Sequence, residues 1–375
     1  MKPKKERSRS FEIPNLSIAF LVAELRGNLE NAFVSKAQDL EQGWLKLKLS
    51  AKQGSASLIV APEAVFLSQY RIDARRQSSG FGAFLNSRLK NRKILSFEQR
   101  NRERILLLEF AEFSLVIELF GEGNAVLLDR EKKILMPKLK REWGVRSVKK
   151  GLLYEFPPER GLNPALLSER EFSAVLKKSG TDIIRALVKG VNIAPIVAEE
   201  ILFQLKIEKS AEAKALPEKR AGELCRKIRD FHSAPDPEKE HACLCECKGK
   251  KFLLPFRPLL PGCSEIQQFD SINSALNELV LAQKFHASSD ESGKKPALER
   301  TLTDQKEALE KALRSAAQNR EKADAIYTHY SELQHALQSI KRGKEKKGVM
   351  YKFPSGVLRV KSIDNKRKRV VFEIG

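Results

Sequence analysis

The sequence predicts an α+β protein built in parts, with helices and antiparallel sheet segregated in the first of them. Three observations carry that expectation. Apolar runs at residues 115–120 and 125–128 flank a Gly121-Glu122-Gly123-Asn124 turn, whose residues supply the positive φ angles a tight hairpin needs. Residues 164–233 change to helical spacing. Residues 298–340 contain neither proline nor glycine and place Leu302, Leu309, Leu313, Ala316, Ala323, Ile326, Tyr330, Leu333 and Leu337 among charged residues, as a coiled-coil arm would.

The elements follow in order. Residues 15–42 read as helix, capped by Asn15 or Ser17, with Ile18, Leu21, Val22 and Leu25 on one face. Leu45, Leu47 and Leu49 alternate with Lys46 and Lys48, a strand with one wet face. Gly54 marks a turn, and Leu58-Ile59-Val60 continues as a second strand. Residues 83–89 form a short helix with Phe84 and Leu85 inward and Arg88 and Lys90 outward. Residues 105–110, 113–120 and 125–128 form an antiparallel meander.

Helices are then expected over 166–179 and 181–187. Lys189-Gly190-Val191-Asn192 interrupts, and Pro195 sits in the first turn of the next helix, where its missing N–H costs little. A further helix covers 214–231. Pro235-Asp236-Pro237 reads as a linker, and 241–262 as a hairpin turning at Lys248-Gly249-Lys250. Phe269-Asp270-Ser271 caps a helix from near Ile272, and 288–295 is a polar break. The expected boundaries are thus 1–160, 161–234, 235–288 (returning to the first domain), 296–341 for the long helix, and a basic tail, 342–375, with short strands at 356–360 and 370–374.

The 375 residues carry a formal charge of +21. Solubility requires no such excess, so a polyanionic partner is the economical explanation. The longest early apolar run, residues 18–23, ends at Glu24, too short to span a bilayer or to serve as a signal-peptide core behind the basic start. The chain is therefore read as cytoplasmic, without membrane association. Five cysteines cannot all pair within one chain. Cys243, Cys245 and Cys247 have strand spacing, which suits packing on one face better than zinc-ligand pairs; Cys225 and Cys263 stand singly.

No Walker loop, G-x-S-x-G or H-E-x-x-H occurs, and four of the five histidines fall in charged helical or linker stretches. No enzyme, metal or cofactor is expected. Cation density is the stronger signal. Residues 88–104 hold seven basic residues against two acids: Arg88, Lys90, Arg92, Lys93, Arg100, Arg102 and Arg104 against Glu98 and Glu103. A second tract holds Arg130, Lys132, Lys133, Lys138, Lys140, Arg141, Arg146, Lys149 and Lys150 against Glu131 and Glu142, about seven net charges beside a small sheet. Gly190 and Asn192 lie in a turn resembling a helix-hairpin-helix connection, which can aim N–H groups at a phosphate; asparagine tolerates the left-handed conformation there.

These pieces, in this order, resemble the NFACT family, ribosome-associated quality-control factors that include eukaryotic NEMF and bacterial RqcH, once described as fibronectin-binding-protein-like. The resemblance rests on Leu21-Val22-Ala23-Glu24-Leu25, Phe84-Leu85 with Arg88-Leu89, Glu103-Arg104-Ile105, residues 118–129 and 151–158, Ala198-Glu199-Glu200-Ile201, Phe269-Asp270-Ser271 and Asn319-Arg320-Glu321-Lys322-Ala323. It implies a glycosylase-like N-terminal domain, a helix-hairpin-helix domain and a long coiled-coil arm. It implies binding to obstructed large ribosomal subunits with peptidyl-tRNA, and to tRNA. The family's Asp–Arg pair reads Glu103-Arg104 here, and an acidic residue of the first helix reads Ser17.

On that resemblance Arg104, oriented by Glu103, is expected to touch tRNA with Arg100, Arg102 and Arg88. Lys138, Lys140, Arg141 and Arg146 follow for RNA phosphates. Some members of the family recruit tRNA for template-free tailing of the stalled chain, and the family continues past the outgoing half of its arm. The resemblance therefore implies either a separate chain carrying the returning half and a C-terminal RNA-binding domain, the two forming a split tailing factor, or a protein that binds ribosomes without elongating anything. Two competitors are a DNA glycosylase, whose fold the resemblance shares but whose proline or acid at position 2 is replaced by Lys2, and a surface adhesin.

Overall fold

The computed structural model describes residues 11–40, 43–51, 54–68, 70, 72, 74, 80–143, 146–233, 241–289, 295–341, 350–353, 356–364 and 369–374. The basic start and the Pro235-Asp236-Pro237 linker lie outside them. The chain divides into two compact units, Met1–Lys284 and Phe285–Gly375.

The first unit opens with α1 (Asn15–Leu29), shorter than the expected 15–42. Asn31 takes a φ of 70°, and the chain then pairs with residues 91–94: Asn31 N–H donates to Ile94 O and Val34 N–H to Arg92 O, both at 2.9 Å. Sheet pairing overrides helical spacing there. Neither expected cap forms. Pro14 holds the cap position, and the buried Ser17 hydroxyl donates to Leu253 O at 2.7 Å.

A four-stranded antiparallel sheet follows in chain order, β1 (Phe33–Asp39), β2 (Leu45–Ala51), β3 (Gly54–Val60) and β4 (Val65–Ser68). Leu45, Leu47 and Leu49 are buried and Lys48 is exposed, as the alternation predicts. Next comes α2 (Gly80–Leu89), whose Gly82 N–H donates to the Asp39 carboxylate at 3.0 Å. A five-stranded meander follows: β5 (Ser96–Gln99), β6 (Ile105–Glu109), β7 (Phe113–Glu118), β8 (Asn124–Asp129) and β9 (Ile134–Pro137). The β7–β8 turn has Gly121 and Gly123 at φ 61° and 67°. A Cβ on Gly123 would lie 2.4 Å from Pro62 Cα, so glycine is required twice over: for its conformation and for its closeness to that backbone. A two-stranded ribbon, β10 (Arg141–Trp143) and β11 (Arg146–Val148), ends this part.

The α1 helix touches β2, β4 and β5, and its buried Leu16, Ile18, Leu21 and Leu25 join one continuous core. A smaller core lies apart from it, made by Ile105, Val116, Val126, Leu128, Ile134, Val148 and Tyr154.

The helical segment holds α3 (Glu169–Lys178), α4 (Ile183–Gly190), α5 (Pro195–Gln204) and α6 (Glu218–His232). Ser168 and Glu171 form a capping box on α3, Asp182 caps α4, and Pro195 opens α5. The last helix begins at Glu218 because Pro217 breaks it from a separate 3-10 turn at 213–215.

The chain then returns to α1. Strands β12 (Ala242–Cys247), β13 (Lys250–Leu254) and β14 (Cys263–Phe269) form a sheet ordered β13-β12-β14, where a two-stranded hairpin was expected. The hairpin turns at Lys248 and Gly249, at φ 53° and 75°. Cys243 and Cys245 bring their sulfurs together along β12, and Cys247 is bonded across the strands to Cys263, so Cys263 is not single; Cys225 is a buried free thiol. Helix α7 (Ile272–Ser289) is capped by Ser271, whose hydroxyl accepts the Ser274 N–H at 3.1 Å. A second cap comes from α1. Glu24 accepts the N–H groups of Ile272 and Asn273 at 2.9 and 2.8 Å, while burial pushes its carboxyl up from the ordinary range.

In the second unit the expected single helix is two, α8 (Lys295–Thr328) and α9 (Tyr330–Lys341), interrupted at His329. Leu309, Leu313, Ile326, Tyr327 and Tyr330 on them are exposed. The tail forms an antiparallel sheet, β15 (Met350–Phe353), β16 (Gly356–Asp364) and β17 (Arg369–Ile374).

Candidate nucleic-acid interface

Between β5 and β6 the chain makes a 3-10 turn over Arg100–Arg102. Asn101 and Arg102 take left-handed φ angles of 42° and 55°, two consecutive non-glycine residues in a costly conformation. Surrounding contacts hold the turn. Arg102 Nη2 donates to His232 O at 2.8 Å, and Arg104 donates from Nε to Leu119 O at 2.7 Å and from Nη1 to Ile13 O at 2.6 Å. Asn101 bonds the Glu159 carboxylate. The Arg100 guanidinium stacks on Phe156, 3.8 Å from the ring centroid, with Glu159 3.8 Å away.

Arg102 and Arg104 are half-buried, with one donating nitrogen of Arg102 and two of Arg104 bonded to main-chain oxygens. Burial, reinforced by Arg26, pulls the Arg102 guanidinium below its ordinary pKa. The Glu103 carboxylate accepts from Asn192 Nδ2 at 3.0 Å and Arg160 N–H at 3.2 Å, while the carbonyls of Ile13 and Leu119 orient Arg104. Beside the turn His232 is buried, its Nδ1 2.9 Å from Ile228 O. Desolvation holds the ring down at about 4, so it is neutral at physiological pH.

The α4–α5 turn closes on the same place. Asn192 adopts a φ of 52°, as its residue type allows, but its side chain is buried, accepting from Asn15 at 3.3 Å and donating to Glu103. Gly190 O accepts Leu162 N–H at 2.9 Å, and a Cβ on Gly190 would lie 2.4 Å from Val175 Cγ1. The Asn192 side chain and the Gly190 carbonyl are thus spent on interior contacts.

The other cations divide by exposure. Arg88, Lys90 and Lys93 are exposed, Arg88 lies over Phe84, and Arg92 pairs with Glu112 at 2.9 Å. Lys140 is exposed with no carboxylate partner among the described residues. Arg141 pairs with Glu122 near the surface, and Lys149 with Glu142. Lys138 donates to Gly43 O, and burial lowers its pKa against the pull of Asp39. Arg146 is turned inward, paired with Glu118 and stacked on Tyr154, which removes it from the surface set. Sequence reasoning passed over Lys36, which lies opposite Lys48 on the exposed side of the first sheet; the only signal was the wet face of β2.

Among the described residues no cluster of three or more histidine, cysteine or acidic side chains could hold a metal ion, and no helix is long and apolar enough to cross a membrane.

Comparison with known proteins agrees with the resemblance. An archaeal Rqc2 homolog, aRqcH of Methanocaldococcus jannaschii, is 25% identical over 359 residues, covering 89% of this chain and 53% of its own. The ribosome quality control complex subunit 2 of Saccharomyces cerevisiae is 28% identical over 148 residues, 38% of this chain and 14% of its own. The chain thus spans about half the length of the archaeal relative and less of the yeast one. Among solved structures, the N-terminal part of the fibronectin/fibrinogen-binding protein from Streptococcus suis superposes with a TM-score of 0.57 at 20% identity, covering 72% of this chain and 99% of that one. The family model for NFACT N-terminal and middle domains matches residues 15–353. The chain belongs to the NFACT family.

Proposed function

We propose that this chain is an RNA-binding factor of ribosome quality control, which engages obstructed large ribosomal subunits and tRNA without making or breaking a bond. Family membership over residues 15–353 carries the reading, because the named relatives are quality-control proteins. The formal charge of +21 and the exposed cations Arg88, Lys90, Lys93 and Lys140 support it. Arg100 and Arg141, half-exposed, complete the surface set. Arg102, Glu103 and Arg104 shape the turn that presents Arg100. In the second unit, the exposed apolar residues of α8 and α9 suit an antiparallel helix in a coiled coil, supplied by further family sequence or by a second polypeptide.

Co-sedimentation tests the proposal. The purified chain is expected to travel with large subunits carrying peptidyl-tRNA and to bind empty subunits less. A chain that stays at the top of the gradient with both ends the reading. In filter binding to tRNA, Arg88→Gln with Arg100→Gln is expected to flatten the salt dependence by about one log-log slope unit per cation removed. An unchanged slope removes these two residues from the interface. Base release from a damaged duplex would instead favour the glycosylase alternative.

A further inference from the structure

The outer face of the first sheet combines features that neither packing nor edge protection explains. Phe33, at the start of β1, is 48% exposed. In register it faces Ser50 of β2 on one side and bridges Lys93 on the other, and all three side chains are exposed. A β-bulge between Val34 and Lys36 shifts the phase of β1, so Lys36, three residues on, returns to the face of Phe33. There it stands directly opposite Lys48. Lys36, Lys48 and Lys93 are all exposed and have no carboxylate partner among the described residues.

Side chains directly opposite on paired strands lie about 5 Å apart, and like charges so placed repel. Lysines on an edge strand guard against unwanted pairing, which would account for Lys36. It does not account for Lys48, because β2 lies between β1 and β3. Nor does it account for an exposed phenylalanine among the lysines. Cations that tolerate mutual repulsion around a flat aromatic ring match a ligand with a polyanionic backbone and planar bases.

We propose that this face binds unpaired nucleotides of RNA, one base stacking on Phe33 and the flanking phosphates lying on Lys36, Lys48 and Lys93. Leu95, two residues beyond Lys93, is also exposed, at 51%. Ser50 is small enough to leave the ring accessible. The proposal rests on the RNA-binding reading and narrows it: this surface selects single strands, whereas the Arg88 and Arg100 cations have no such preference.

The test compares an unpaired eight-nucleotide RNA with a blunt RNA duplex of equal charge, using the full chain. Phe33→Ala is expected to weaken binding of the unpaired oligomer about tenfold and to leave duplex binding unchanged. Phe33→Trp should retain affinity, and its emission should be quenched by the unpaired oligomer alone. Lys36→Gln with Lys48→Gln should lower the salt slope for the unpaired oligomer by about 1.4. If Phe33→Ala binds both RNAs as the parent does, the stacking site is refuted while RNA binding stands. If the parent chain binds neither RNA, the wider reading fails and this one with it.

Discussion

Arg146 and Glu118 form an ion pair sealed from water, with side chains 6% and 2% exposed. The Tyr154 hydroxyl donates to the same carboxylate oxygen at 2.8 Å, and burial beside Glu118 drives the phenol far above its ordinary range. The pair sits with the smaller core, where Val116, Val126 and Val148 are wholly buried. Removing one member leaves a buried charge without a counterpart. Arg146→Ala is expected to cost about 3–5 kcal/mol in urea unfolding, and the double change Glu118→Leu with Arg146→Met to recover most of it. An Arg146→Ala protein as stable as the parent would contradict the buried pair.

The His232 ring yields a pH prediction. Its folded value, about 4, lies below the ordinary 6.5. The unfolded chain therefore binds the proton first, so stability falls as pH drops from about 6.5 to about 4 and this contribution is level outside that window. The total is roughly 3 kcal/mol. His232→Gln should be flatter across this window than the parent in urea titrations at pH 7, 5.5 and 4.5. Parallel curves would refute the assignment.

The two glycines of the β7–β8 turn should separate conformation from contact. A Cβ on Gly121 would meet nothing within 4 Å, whereas one on Gly123 would strike Pro62. Gly121→Ala is expected to cost about 1 kcal/mol from its positive φ alone. Gly123→Ala should cost at least about 3 kcal/mol, because a main-chain segment must also move. Equal melting shifts would show that the contact with Pro62 is slack.

Asn192 tests the link between the α4–α5 turn and Glu103. Asn192→Gly keeps the left-handed conformation and loses the side-chain bonds, a cost of about 1 kcal/mol. Asn192→Asp places a carboxylate against the Glu103 carboxylate and should cost more, about 2–3 kcal/mol above pH 6. That excess should shrink as pH falls through the carboxylate range. An Asp variant no worse than Gly would mean that Glu103 turns away.

Much of this architecture is local and can be read from residue spacing. The β7–β8 hairpin, the lysine–leucine alternation of β2, Pro195 at the start of α5 and Ser271 at the start of α7 each depend on a few neighbouring residues. What escaped the sequence depends on distant partners. Helix α1 ends early because residues 91–94 pair with the segment after it. Strand β14 escaped because Ser264, Glu265, Gln267 and Gln268 are exposed polar residues that give no buried alternation. The candidate interface divides the same way. Cation density located the 88–104 stretch. Which arginines face solvent is decided by carbonyls from Ile13, Leu119 and His232, and by a glutamate 28 residues before Arg146.

Glu24 ties α1 to the start of α7 across 248 residues. Glu12 and Ser17 tie the same stretch to β13, and Asn273 and Asn277 reach back to Leu67. The first unit is thus sewn together at its two ends, and its continuity does not depend on an unbroken peptide chain. A protease site engineered between Ser233 and His241 should, once cut, yield two fragments that still co-elute, with residues 241–284 serving as the clasp of the earlier fragment.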